Sequence, residues 1–502
     1  MCILTSFANA VIVKSTTRKG EIPMNGIPVS ISAPIIVVYL LAMVIIGFSF
    51  ARFMKSSDDF MLGGRKMGPW LIGASVFATN ISGATLLGFT STGYQLGVSA
   101  FWVTVGPQLG GVFFAAFMAA KLRKMEAYTL AGVIDNQVNS KRSRLVATLA
   151  SATRDFMYLG SQVVAFGTMF NFLFGIPFVW GAVLGTVVTL AFCVSGGLMA
   201  VMWTDYIQLV IIMAATAMVV PMAAKHIGNW ENLVNALPAE MVSVGNVTVS
   251  QVIGWFLMGM FAYTVAQSMY QRVFSARNIK VAQHGMIIGN MLGALWYCLP
   301  FLMGMFARCI YNDTIAATGA EPFLVLATNI GGPVFGSILM AALISALIST
   351  ASTSINLISS NLTLDIYQRF INPNASQDTL LRMGKITTAV AAVIGFIAAL
   401  AFPQVLEMIF LGNKIVACIA PAMLLLIFWP KAKYYEKPVF WSMLLGCISL
   451  LGYYFYSVGQ VTGDGTFIWT LDPIYVGIAV SCAVLLLGIL ISGNREKKEA
   501  SK

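Results

Sequence analysis

Two stretches set oxygen-bearing side chains inside otherwise apolar sequence. Phe77-Ala78-Thr79-Asn80-Ile81-Ser82-Gly83-Ala84-Thr85 combines Asn80, Ser82 and Gly83 with three β-branched residues. These types weaken a helix, and Asn and Ser offer its backbone other partners. A helix broken here bares carbonyl oxygens that can hold a cation, which a membrane tolerates only where the backbone lines a cavity. The second stretch, from Ala341 to Ser354, carries Ser345, Ser349, Thr350, Ser352, Thr353 and Ser354. At about 100° per residue, Ser349, Thr350, Ser352 and Thr353 share one broad helical face, with Ala346 a turn below. Hydroxyls facing bared carbonyls make a neutral oxygen cage suited to a small hard cation, and weak enough to release it. The plain alternatives are small-residue helix packing for the first stretch and a hydroxyl-rich helix seam for the second.

Ionisable residues inside apolar runs are costly and mark functional positions. Here they are Arg154, Asp155, Asp205 and Lys414, with Glu407 near the end of a run. Arg154 and Asp155 are adjacent, so they either neutralise one another or cap a crevice. Asp205 stands about ten residues into its run, where hydration from the inner surface is the alternative to function. Lys414 lies too deep to reach an interface easily, so a place in a cavity competes with a structural one.

The elements that must position these groups are membrane helices. The chain has 502 residues, of which 58% are hydrophobic and only 10% charged, against about 25% charged in soluble proteins. Runs of about 20 apolar residues span a bilayer, and about thirteen are read here: Ala33–Ala51, Trp70–Tyr94, Ala100–Leu122, Leu145–Phe174, Pro177–Val194, Leu198–Met222, Val249–Tyr270, Gly285–Ile310, Pro333–Thr363, Ile386–Phe402, Val405–Trp429, Val439–Tyr456 and Ile474–Ile491. They are long and lack period-two alternation, which favours an all-α polytopic protein over a barrel.

The net charge of +11 fits basic cytoplasmic loops better than nucleic acid. Lys and Arg crowd one set of alternate loops, including Arg52, Lys55, Lys121, Arg123, Arg272, Arg277, Lys431 and the tail 492–502. This bias puts the N-terminus outside and the C-terminus inside a plasma membrane. Residues 1–32 read as a polar extracellular leader without signal-peptide features, and Met24 is an alternative start. Two His and seven unpaired-spacing Cys argue against enzyme or zinc chemistry. Neither charge rings nor repeated filter sequences suggest a channel.

Five stretches carry a family resemblance: Ser57-Asp58-Asp59-Phe60-Met61-Leu62-Gly63-Gly64-Arg65, Ala74 to Gly83, Ser195 to Gln208, Tyr270-Gln271-Arg272-Val273-Phe274-Ser275-Ala276-Arg277, and Ser349-Thr350 followed by Asp365-Ile366-Tyr367. In this order they resemble the bacterial sodium:solute symporters, the family of the sodium/proline, sodium/galactose and sodium/sialic-acid transporters. The resemblance implies a five-plus-five inverted repeat (LeuT-type), here residues 70–222 and 249–429, with peripheral helices 33–51 and 439–491. It implies a principal sodium site of the carbonyls of Ala78, Ile81 and Ala346 and the hydroxyls of Ser349 and Thr350. Some members carry a second site, whose counterparts are Asp205, Ser352 and Thr353, or an ion exit path through Asp205.

For the solute, the resemblance points to Asn80, Thr85, Tyr263, Gln267 and Lys414. Thr85 departs from the sugar transporters' Gln, and Ala84 from the proline transporters' Trp. The ammonium of Lys414 is expected to pair with a solute carboxylate. The function expected is sodium-coupled import of a small polar solute, an organic acid or amino acid, by alternating access. Sodium and the solute are the small-molecule partners, the bilayer is the environment, and no obligate protein partner is evident. A proton-coupled permease on the same scaffold, using Asp155 or Asp205, and a sugar or polyol solute are the competing expectations.

Overall fold

A computed structural model describes residues 27–49, 56–401, 405–458 and 471–499, essentially all of them helix or short connections. Most of the leader, Met24, the loop residues Arg52 and Lys55, and the end of the tail lie outside the described residues. Helix α1 is Val29–Ser49, and so begins within the stretch read as leader. Then come α2, Pro69–Asn80, α3, Gly83–Leu96, and α4, Trp102–Phe113. Next are α5, Lys141–Phe174, and α6, Phe178–Ile227. The second half opens with α7, Val249–Thr264, α8, Gln267–Ser275, and α9, Ile279–Thr318. It continues with α10, Gly332–Ser360, α11, Gln377–Ala401, α12, Val405–Ala417, and α13, Ala420–Phe428. Helices α14, Glu436–Val458, and α15, Pro473–Glu499, close the chain; α15 runs on through much of the expected tail.

Ten of these stretches are long and apolar enough to cross a bilayer, and α12 with α13, bent by 46°, makes an eleventh. Gly83–Met125, at 43 residues, holds parts of two of the thirteen sequence runs, and Phe178–Ala191 is a shorter apolar helix. Local chemistry sets the ends. Ser140 caps α5, Asn278 caps α9, and Thr248 forms a capping box on α7, each satisfying an amide that has no partner within its helix. Gly197 divides α6 at φ +54°, and a Cβ there would come within 2.6 Å of the Phe60 carbonyl. That position therefore needs glycine twice over, for the backbone angle and for the contact.

Besides the bend between α12 and α13, two spans among the described residues are broken in mid-course: α2 from α3 at residues 81–82, and α7 from α8 at residues 265–266. They are the first spans of the two expected repeats, and they run as neighbours. Met67, before α2, donates its amide to the Ser275 carbonyl at 3.1 Å, and Arg277 donates back to Met67 at 3.2 Å. Helix α2 packs on α9 through Gly73, Gly285 and Gly289, where an added Cβ would meet Ile288, Ile72 or Val76 at 2.5–2.6 Å. Small residues at such a seam let helices approach where no hydrophobic effect drives them together.

The span containing α10 is the enclosed centre, with 89% of its apolar window buried, against 22% for α1 and 28% for each of α14 and α15. The outer helices instead present Leu486, Leu487, Leu490 and Ile491 outward, as lipid-facing helices do.

Candidate functional site

The break between α2 and α3 follows from redirected amides. In an unbroken helix Ser82, Ala84 and Thr85 would donate to the carbonyls of Ala78, Asn80 and Ile81. Instead Ser82 N donates to Thr85 Oγ1 at 2.9 Å and Thr85 N to Ser82 Oγ at 2.8 Å, a reciprocal capping box. Ala84 N donates to Gln162 Oε1 at 3.2 Å. The Asn80 carbonyl is taken up by Tyr297 Oη at 3.3 Å. The carbonyls of Ala78 and Ile81, two of the expected sodium ligands, thereby lose their helical donors, and both residues are fully buried.

The broken segment abuts the hydroxyl face of α10. A Cβ at Gly83 would fall 2.3 Å from Leu347 Cγ and 3.0 Å from its amide nitrogen, so the two backbones meet just past Ala346. Ser349 Oγ donates to Asp205 Oδ1 at 2.6 Å, and Ser352 Oγ to the Ser349 carbonyl at 2.9 Å. Thr350 is different. It is 1% exposed, and its Oγ1 has no partner among the described residues. A threonine in a helix ordinarily returns its hydroxyl to its own backbone, as Thr90 and Thr204 do here. A buried hydroxyl left free is costly unless something else binds it.

Asp205 is fully buried rather than hydrated at the inner surface. Its Oδ2 accepts from Ser75 Oγ at 2.6 Å and lies 3.8 Å from Arg272 Nη2. Arg272, also fully buried, donates to Ser75 Oγ at 3.1 Å and through Nη2 to Thr79 Oγ1 at 2.7 Å and Thr353 Oγ1 at 2.9 Å. Sequence reading counted Arg272 among the loop charges, whereas the fold carries it inward on α8. Of the expected second site, Asp205 and Thr353 thus face a common side-chain cation, Arg272, which stands between them, while the Ser352 hydroxyl is turned to the Ser349 carbonyl.

A cavity of about 80 Å³ opens beside these groups. Asn80, Thr85, Tyr263 and Thr350 line it, with Arg154 and Asp155 on the facing helix. Asn80 Nδ2 donates to Tyr263 Oη at 2.9 Å, and Tyr263 Oη donates onward to Asn290 Oδ1 at 2.6 Å. This chain fixes two of the wall's polar groups, on α2 and α7, and anchors them to Asn290 on α9 behind the wall. Thr85, by contrast, is committed to the cap.

Two expected solute contacts are not brought to this cavity. Gln267 is buried, its Oε1 accepting from Ser151 Oγ at 2.8 Å. Lys414 points elsewhere: its Nζ lies 2.8 Å from Asp472 Oδ2 at the start of α15. Its carboxylate partner is supplied from within the chain. Sequence reading did not single out Ser75, Thr79, Tyr158, Tyr297 or Asn413, and only the helix-face position of Tyr158, a turn beyond Arg154, could have pointed to any of them.

With that geometry in view, comparison with known proteins gives three results. A profile described as the sodium:solute symporter family matches residues 60–446. Sodium/proline symporters of Salmonella typhimurium (25% identical over 452 residues, 84% of this chain and 88% of the relative) and Escherichia coli K12 (27% over 402 residues, 75% and 78%) are similar along most of their length. A substrate-bound, outward-open Na⁺-coupled sialic acid symporter superposes with a TM-score of 0.77 at 21% identity, covering 92% of this chain and 96% of that one. The nucleobase-cation-symport-1 family transporter Mhp1, closed around bromovinylhydantoin, gives 0.55 at 12% identity, covering 88% and 95%. The last two establish a shared LeuT-type fold.

Proposed function

The chain belongs to the sodium:solute symporter family, and from that premise we propose that it is a secondary active symporter importing a small, carboxylate-bearing polar solute with sodium. One observation carries the sodium half: the free, buried Thr350 hydroxyl beside a helix break that strips the donors from Ala78 and Ile81. The sodium ligands proposed are the carbonyls of Ala78, Ile81 and Ala346 with the hydroxyls of Ser349 and Thr350. All are uncharged oxygens, so the ion is held by dipoles and can leave. Arg154, whose side chain is 12% exposed in the cavity wall, takes over the carboxylate role first expected of Lys414.

Sodium that bridges α2 and α10 stabilises the conformation in which the broken segment lies against the hydroxyl face. Its effect equals its differential affinity for that state over the other. The solute cavity shares Asn80 and Thr350 with this seam, so ordering one orders the other. Each sodium moved inward through the membrane potential contributes about 2.3 kcal/mol per 100 mV. The proposed orientation, N-terminus outside and C-terminus cytoplasmic in the plasma membrane, rests on the loop-charge bias and does not require Arg272.

The test is sodium titration of the purified full chain, followed by its thermal unfolding midpoint against potassium at equal ionic strength. Sodium is expected to raise the midpoint, and Ser349→Ala and Thr350→Ala each to shift the half-saturating sodium concentration upward about ten-fold, the loss of one hydroxyl dipole from an ion. Equal sodium midpoints in wild type and both variants would remove the site.

A further inference from the structure

Besides Thr350, the cavity wall holds two groups without a partner among the described residues, the Ser268 hydroxyl and one oxygen of Asp155, and only the second is a carboxylate. Asp155 is 1% exposed on α5; its Oδ1 accepts from Arg154 Nη1 at 3.2 Å, while its Oδ2 is buried with no partner among the described residues. Pairing with Arg154 therefore satisfies only half of the carboxylate. The guanidinium itself is held firmly. Its Nε donates to Asn413 Oδ1 at 3.0 Å, its Cζ lies 4.3 Å from the centre of the Tyr158 ring, and Asn413 Nδ2 donates to Tyr158 Oη at 3.0 Å. Arg154, Asp155, Tyr158 and Asn413 all line the cavity.

Resting on the carboxylate reading above, we propose that the solute is an amino acid: its ammonium binds Asp155 Oδ2 and its carboxylate binds Arg154. A buried carboxylate oxygen with no donor is strongly unfavourable, and a charged donor restores it best. A solute with a carboxylate alone would bring a second anion into a low-dielectric cavity whose single facing guanidinium is already shared with Asp155. An amine alone would leave Arg154 with no anion beyond Asp155. The two protein charges are in contact, so the complementary charges of the solute must be close together, one or two carbons apart. Apolar residues Phe89, Pro107, Met258 and Phe410 complete the wall, leaving the remainder of the solute short and apolar.

The experiment uses the full chain in saturating sodium, with thermal shift and calorimetric titration against the proteinogenic amino acids and β-alanine. The comparison compounds are propionate and butyrate, which lack the amine, and ethylamine and pyrrolidine, which lack the carboxylate. At least one amino acid is expected to bind in a sodium-dependent manner. Its analogue lacking the amine should bind on the order of 30-fold more weakly, the usual scale for removing one partner of a buried charge pair. Asp155→Asn should cut amino-acid affinity by a similar factor, abolish the preference over the analogue, and leave the sodium titration unchanged.

Sodium-dependent binding of propionate or butyrate as tight as that of any amino acid would overturn the amino-acid assignment and leave sodium symport of a carboxylate standing. Unaltered amino-acid affinity in Asp155→Asn would overturn it as well. Absence of any sodium-dependent binding would instead strike the symport reading itself. The ligand comparison on the unmodified protein decides the matter even if Asp155→Asn does not fold.

Discussion

Arg272 and Asp205 face each other at 3.8 Å with neither side chain exposed, one from α8 and the other from α6. Around them Ser75, Thr79, Ser349, Thr353 and the Ser268 carbonyl supply further hydrogen bonds. A buried ion pair is a weak source of net stability, but removing one partner leaves the other charged and uncompensated at a cost of about 3–5 kcal/mol. Arg272→Gln is therefore expected to lower the thermal unfolding midpoint sharply, and Asp205→Asn added to it to recover part of the loss. Thermal unfolding of the two variants in detergent checks this. A single variant as stable as the parent would mean that the pair is solvated.

The same pair bears on coupling. Thr353 and Asp205 already hold a guanidinium, so a second sodium there would bring a like charge against Arg272. One sodium per solute is the expected stoichiometry. Reversal-potential measurements on reconstituted protein, with the amino acid or acid that binds, give the ratio directly, and a value of two would require Arg272 to move away from Asp205 during the cycle.

Thr350 offers a contrast between stability and function. Its hydroxyl is buried without a partner, so Thr350→Val, which keeps the shape and deletes the orphan group, should leave stability in sodium-free buffer unchanged or raise it by about 1–3 kcal/mol. Sodium binding by the same variant should weaken. Ser349→Ala, which breaks a 2.6 Å bond to Asp205, should instead destabilise the sodium-free protein. Chemical denaturation and sodium titration of both variants check the pair of outcomes. Loss of stability in Thr350→Val would indicate that its hydroxyl is already satisfied.

Hydropathy made most of the spans legible, because a bilayer leaves helices little alternative to long apolar runs. The break at Asn80 was legible for a local reason: Ser82 and Thr85 sit at cap spacing and can capture each other's amides. The break between α7 and α8 was not, since Thr264-Val265-Ala266-Gln267 holds neither Gly nor Pro. The burial of Arg272 was hidden because Gln267–Ser275 is polar, and a basic residue near the end of a span reads as a loop charge. Helical phase put Ser349 and Thr350 on one face with Ser352 and Thr353, and the family resemblance singled out the first two, whereas the separate fate of Thr350's hydroxyl depends on contacts no periodicity encodes.

Lys414 illustrates the same limit and gives the last expectation. A lysine in mid-span needs an anion, and from sequence alone the anion could be the solute. The fold provides Asp472, 58 residues later in the chain, at 2.8 Å, too distant in sequence for any spacing rule to link them. Both side chains are only partly buried, at 14% and 24% exposure, so the bond is partly screened and Lys414→Ala should cost about 1 kcal/mol or less of stability. Solute affinity should be unchanged within about two-fold, because Lys414 does not line the cavity and the distant contact makes no coupling with it. Asp472→Asn should behave alike, and the double variant no worse than either, as for two halves of one interaction. Isothermal titration of the three variants with the binding amino acid checks this. A Lys414→Ala protein that lost ten-fold or more in solute affinity, with Asp472→Asn unaffected, would return the lysine to the solute and displace Arg154 from that role.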